Sequence, residues 1–209
     1  MVPSDDAPRA ARLLALRDRT ILLVAFSGAF RRSEVADIDV EHIDRDELGA
    51  AITLPKSKRN QDGDLEVVLI PFSETLELCP VRAIDVWKEA AGIVDGPVFR
   101  ALDRHANVRG RIQSALVASV VNASISAAQS EERKSAEAEG RDEDAALVKL
   151  NPAKFAAHSL RSGWISSAAR EGHEEREMMA HSRHANVHIF QGYVQRATRW
   201  DGHPGLGLL

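Results

Sequence analysis

The chain has 209 residues, 44% of them hydrophobic, and a formal net charge of −4, enough apolar material for one sizeable core. It contains no apolar run long enough to span a membrane and no secretory signal. Its one cysteine, Cys79, rules out an internal disulfide and points to a reducing, cytoplasmic setting. The acidic excess is local, because seven Asp or Glu face three Lys or Arg between Glu131 and Asp144, whereas from Lys149 onward eight basic residues meet five acidic ones and six of the eight histidines gather, so a nucleic-acid surface stays open.

Residues 1–8, with Pro3 and Pro8, read as a disordered lead, and 9–209 as one domain. Leu13, Leu16, Ile21 and Val24 recur at helical spacing and predict a helix from Arg9 to about Phe26, closed at Ser27-Gly28. Ser33 and Glu34 open a short second helix. Residues 48–54 and 65–70 predict two strands around the polar turn Lys58-Arg59-Asn60-Gln61-Asp62-Gly63-Asp64, with a short third strand near Glu41–Ile43. Pro80 starts a helix that Gly92 stops. Residues 111–129 predict an alanine- and valine-rich helix, and the charged stretch 130–146 extends it or loops out. Three further helices are expected over 159–170, 174–180 and 187–196. The fold class is therefore mainly α with a small antiparallel β-sheet (α+β).

Cleaving a phosphodiester takes a nucleophile, cations for the equatorial oxygens and an acid for the leaving oxygen. Arginine meets a phosphate with two parallel hydrogen bonds, and tyrosine suits a reversible covalent intermediate because phenolate leaves readily. The chain presents these types in order. Arg31 sits in Gly28-Ala29-Phe30-Arg31-Arg32-Ser33-Glu34 at a helix entry, Lys58 on the hairpin turn, and His158 and Arg161 three residues apart on one helical face. His184 follows, and nine residues later comes Tyr193, the only tyrosine.

That ordered set resembles the catalytic domain of the tyrosine recombinase (phage integrase) family over residues 10–200 or so. The resemblance implies that Arg31 and Arg161 clamp the scissile phosphate and that Lys58 protonates the leaving 5′ hydroxyl. It further implies that His158 helps accept the tyrosine proton, His184 hydrogen-bonds a phosphate oxygen, and Tyr193 attacks to give a 3′-phosphotyrosyl link. Glu34 resembles the family's acidic supporting residue. By the same resemblance no cofactor is needed, the partner is double-stranded DNA, the free domain is a monomer, and recombination assembles a tetramer on DNA in the nucleoid. The related alternatives are type IB topoisomerase-like cleavage and religation, and a non-catalytic DNA-binding module of the same fold.

Some features depart from the family pattern. The N-terminal core-binding domain that usually closes around the duplex is absent from these residues, so the chain reads as a fragment or as a protein with a reduced partner. The acidic segment from about 126 to 148 is longer than the pattern expects and is read as a solvated excursion. Aligning His181 as the second active-site histidine would put Phe190 in the nucleophile's place, whereas His184 restores Tyr193. Lys56 competes with Lys58 for the general-acid role. His181, His184 and His188 have metal-like spacing, but carboxylate partners are missing nearby and Asn186 reads as a helix start that breaks the face, so no metal is expected.

Overall fold

The structure, a computed structural model, describes residues 7–54, 65–141, 155, 158–199 and 201. The apolar stripe expected near the start forms α1 (Arg9–Ser27), which buries Leu13, Leu16, Ile21 and Val24. Its end is fixed at Gly28, whose N–H donates to Val24 O at 3.0 Å. A Cβ on Gly28 would lie 2.2 Å from the Phe30 ring, so only glycine lets the chain double back over that side chain. The reversal leads into α2 (Arg32–Ala36).

Strands β1 (Ile43–Arg45), β2 (Gly49–Leu54) and β3 (Glu66–Pro71) form an antiparallel sheet in that order. The register pairs Ile43 with Ile52 and Ile52 with Val68. The period-two alternation of β3 sends Val68 and Ile70 into the core and leaves Val67 and Leu69 exposed. The first strand starts later than expected, because residues Val40–His42 make a 3-10 turn whose Asp39 N–H donates to His42 Nδ1. The β2–β3 turn, with Lys56 and Lys58, lies outside the described residues.

Helix α3 (Pro80–Ala91) begins at Pro80 and stops at Gly92 in a left-handed conformation, as the sequence implies. It lies along α1, and the Thr20 hydroxyl sits 2.7 Å from Leu16 O and 3.1 Å from Ala83 O, bridging the two helices. Trp87 is fully buried and donates its indole N–H to Val98 O at 2.8 Å.

An unexpected hairpin follows, β4 (Arg100–Leu102) and β5 (Val108–Arg111). Helix α4 (Ser114–Glu139) starts three residues later than expected and runs much further. The acidic stretch continues it as far as Glu139, where Gly140 closes it, so this part of the expected excursion is helical. Arg141 folds back onto Glu132 and Glu139 there.

Helices α5 (His158–Arg170), α6 (Glu175–Ser182) and α7 (Val187–Ala197) pack together around a second, smaller apolar cluster of Ile165, Ala168, Met178 and Phe190. The fold is mainly helical with small antiparallel sheets. Among the described residues no helix is long and apolar enough to cross a membrane.

Candidate active site

Three short pieces of chain meet where α1 ends: the turn 28–34, the first turn of α5, and the turn 182–186 between α6 and α7. The first is shaped by Ala29, which is buried and left-handed at φ 46°. A non-glycine residue there is strained, and such strain persists only where surrounding contacts impose it. The carbonyl that Ala29 turns inward accepts from Arg161 Nη1 at 2.7 Å and from Arg183 Nη2 at 3.3 Å.

Arg161, one turn into α5, is 1% exposed. Its Nη2 donates to His184 Nδ1 at 3.2 Å, and its Nε–H has no hydrogen-bond partner among the described residues. Burial, then the neighbouring charges of Arg31 and Arg183, push its pKa down to about 10, which still leaves it cationic at neutral pH. Arg31 caps α2 with its guanidinium at the surface; its Nη2 donates to Arg183 O at 3.1 Å and its Nη1 pairs with Glu34.

Glu34 is shared by Arg31 and Arg183. Its Oε2 accepts from the Arg31 backbone N–H at 2.8 Å and from Arg183 Nη2 at 2.8 Å. Burial raises its pKa, but Arg183 and then the Arg31 hydrogen bonds outweigh burial and hold it below the ordinary carboxylate value. Two guanidinium groups, of Arg31 and Arg183, thus pair with Glu34, while the third, of Arg161, meets only a carbonyl and an imidazole. The site carries excess positive charge, with a buried N–H left unpaired, and that is a site built for an anion.

The histidines line this cationic floor. His184 Nδ1 faces Arg161 Nη2, which can only donate, and Ser182 Oγ at 2.9 Å. Nδ1 must therefore be the acceptor, and the ring proton sits on Nε2 as a free donor. Desolvation, then Arg161 and Arg31, push the His184 pKa down to about 4, which keeps the ring neutral. His158, at the open rim, has its Nε2 3.0 Å from Tyr193 Oη. Partial desolvation, then Arg161 and Arg31, lower its pKa as well, so the imidazole is free to accept a proton.

Tyr193 projects from the middle of α7, half-buried, between the two histidines. Its ring centroid is 6.0 Å from each. Arg196 Cζ lies 5.0 Å above the same ring.

Arg31, Glu34, His158, Arg161, His184 and Tyr193 are thus brought together; Lys58 lies outside the described residues. His181 is elsewhere. It stacks on Trp164 at 4.2 Å and its ring Nε2 donates to Ser27 O at 2.8 Å, pinning α6 to the end of α1. Phe190, the tyrosine's rival in the other alignment, is 0% exposed in the small apolar cluster. Helix α6 ends at Ser182 and α7 starts after Asn186, whose side chain accepts from Ile189 N–H, so His181, His184 and His188 do not share a helical face.

Sequence reasoning passed over Arg183. It is a left-handed residue (φ 55°) with a nearly buried side chain, whose guanidinium also donates to Gly28 O at 3.1 Å and His181 O at 2.7 Å and lies over the Phe30 ring at 5.2 Å. An arginine between Ser182 and His184 carries no sequence signal that separates it from a solvated one.

No protein-family model matches the chain. Over 188 residues it is 31% identical to an integrase/recombinase XerD homolog of Selenomonas ruminantium, covering 90% of this chain and 49% of that protein. The chain therefore spans about half the length of that relative. Among solved structures it resembles the XerH site-specific recombinase bound to a palindromic difH substrate in a post-cleavage complex, with a TM-score of 0.61 and 12% identity over 90% of this chain and 44% of that one. It also resembles XerA recombinase (TM-score 0.52, 17% identity, 95% of this chain and 61% of that one). A third neighbour is the Tn1549 transposon integrase in complex with transposon right end DNA (TM-score 0.51, 14% identity, 91% of this chain and 62% of that one). These structures share the fold.

Proposed function

We propose, from the premise that the chain belongs to the tyrosine recombinase (phage integrase) family, that it performs site-specific DNA recombination by cleaving and rejoining strands through Tyr193. The observation that carries the reading is the His158–Tyr193 contact at 3.0 Å, within electrostatic reach of the buried, under-paired Arg161.

In the proposed step a DNA phosphate occupies the cationic floor. Arg161 donates its Nε–H to one phosphate oxygen and Arg31 donates from its exposed guanidinium to another. His184 donates from Nε2, the nitrogen its neighbours leave protonated. Tyr193 Oη attacks phosphorus, its proton passes to His158 Nε2, and the bond from phosphorus to the 5′ oxygen breaks. Lys58 protonates that leaving oxygen. Attack by a 5′ hydroxyl of a second strand reverses the step and regenerates the phenol, so bond energy is conserved without a cofactor. Glu34 holds Arg31 in place. The working assembly is a tetramer on two duplexes, formed from monomers and acting in the cytoplasm at the nucleoid.

A nicked suicide duplex, from which the cleaved fragment diffuses away, tests this. A covalent protein–DNA band on a denaturing gel is expected, resistant to chelator and lost in Tyr193→Phe and Arg161→Ala. A band that survives Tyr193→Phe contradicts the assignment. Salt-dependent DNA binding with no band would mark a non-catalytic module, and site-independent relaxation of supercoils a topoisomerase-like activity.

A further inference from the structure

Arg183 stands out because its backbone and its side chain want different things. At φ 55° the backbone occupies the left-handed region that glycine tolerates and arginine does not favour. The side chain is nonetheless buried among six partners from three parts of the chain. From the turn 28–34 it holds the carbonyls of Gly28 and Ala29, the Phe30 ring and the Glu34 carboxylate. From α6 it holds His181 O. From β3, Glu66 approaches its Nε to 3.8 Å. Its own carbonyl receives Arg31 Nη2, and the next residue is His184.

We infer that Arg183 is a positioning residue for the cleavage step, an inference that rests on the cleavage reading above. Its guanidinium fork locks the turn that carries His184 to the turn that carries Arg31 and the carbonyl that anchors Arg161. Both phosphate-facing arginines and the imidazole donor then keep one relative geometry before DNA arrives. It acts through the groups it holds, not on the reacting atoms. A compact ammonium cannot replace it, because the contacts diverge over a planar fork.

The backbone strain supplies a clean test. Arg183→Gly removes the fork while giving the backbone the residue it favours, so a loss of rate cannot be charged to a spoiled turn. Single-turnover adduct formation at saturating suicide substrate is expected to fall about 100-fold, the scale for displaced catalytic groups. The DNA dissociation constant should stay within about threefold, since a group acting only on the chemical step leaves binding alone. Arg183→Lys should remain nearly as slow as the glycine variant, and added guanidinium ion should restore part of the glycine variant's rate.

Adduct formation by Arg183→Gly within about threefold of wild type would overturn the role, and so would a loss explained wholly by weaker DNA binding. Should wild type itself form no adduct, the cleavage reading fails, and the 15N signals of the His184 ring in the free protein decide for Arg183. Wild type is expected to hold the single Nε2–H tautomer and Arg183→Gly to mix the two; an unchanged tautomer overturns the role. If the glycine variant does not fold, Arg183→Lys carries the same readouts.

Discussion

The core around α1, α3 and the three-stranded sheet buries Trp87, Phe30, Phe99 and many aliphatic side chains, whereas among the described residues the cluster that seats Tyr193 buries only Ile165, Ala168, Met178 and Phe190. The cations belong to the first region: Arg161 and Arg183 are tied to the carbonyls of Gly28 and Ala29, which close α1. Tyr193, the proposed nucleophile, belongs to the second, on a helix whose one buried side chain is Phe190. The anion site is thus held by a redundant core, and the tyrosine by a thin one. A reaction that delivers a tyrosine to a fixed phosphate gains from that asymmetry, because α7 can adjust without disturbing the arginines.

The largest effects should come from removing the aromatic anchor of each region. Trp87→Ala and Phe190→Ala are each expected to cost about 3–5 kcal/mol where the anchor packs. Trp87→Ala should lower the global denaturant midpoint. Phe190→Ala should raise amide exchange selectively in α5–α7 and abolish adduct formation while α1 and α3 keep their protection. Equal acceleration in both regions would break the contrast.

Next comes the buried cation. Arg161 lacks a carboxylate of its own, since Glu34 is shared by Arg31 and Arg183. A buried charge with no counter-ion carries a desolvation cost that an apolar group of similar volume avoids. Arg161→Met should therefore unfold no earlier than wild type, by urea titration, yet form no adduct. A clear destabilisation would mean that Arg161 serves the fold.

A smaller effect is expected from pH. His184 has an ordinary value of 6.5 and a folded value of about 4, so between these limits the unfolded chain binds more protons. Stability should be level above pH 6.5 and decline as pH falls toward 4, with adduct formation following it. The lowered pKa values of His158 and His181 act in the same direction. His184→Gln should flatten the slope, as measured by denaturation across this window; an unchanged slope would put the proton elsewhere. Least of all should come from the acidic end of α4, where Lys134 and Glu131 pair in solvent. Lys134→Ala should leave both melting temperature and adduct rate unchanged.

Much of this was legible from residue order. The helical period of Leu13, Leu16, Ile21 and Val24, the Pro80–Gly92 bracket and the alternation of β3 each express a local rule strong enough to survive packing. The β4–β5 hairpin was not legible. Residues 100–111 are arginine-rich with no apolar alternation, and they pair because Asp103 ties Arg109 and Asn107 across the turn. The continuation of α4 was hidden by charge, since solvated helix and loop share one composition. At the site, types and spacing pointed to Arg31, Arg161, His158, His184 and Tyr193, all of which converge. Arg183 was invisible because its importance lies in a left-handed backbone and in carbonyls more than 150 residues away, which no local pattern encodes.

The most direct measurement is the chemistry of the trapped product. The covalent complex formed on a suicide substrate is digested with nuclease and protease and mapped by mass spectrometry. A nucleophilic Tyr193 predicts a 3′-linked nucleotide on the peptide containing Tyr193 and on no other. A nucleotide found on a serine, a histidine or another peptide would contradict it.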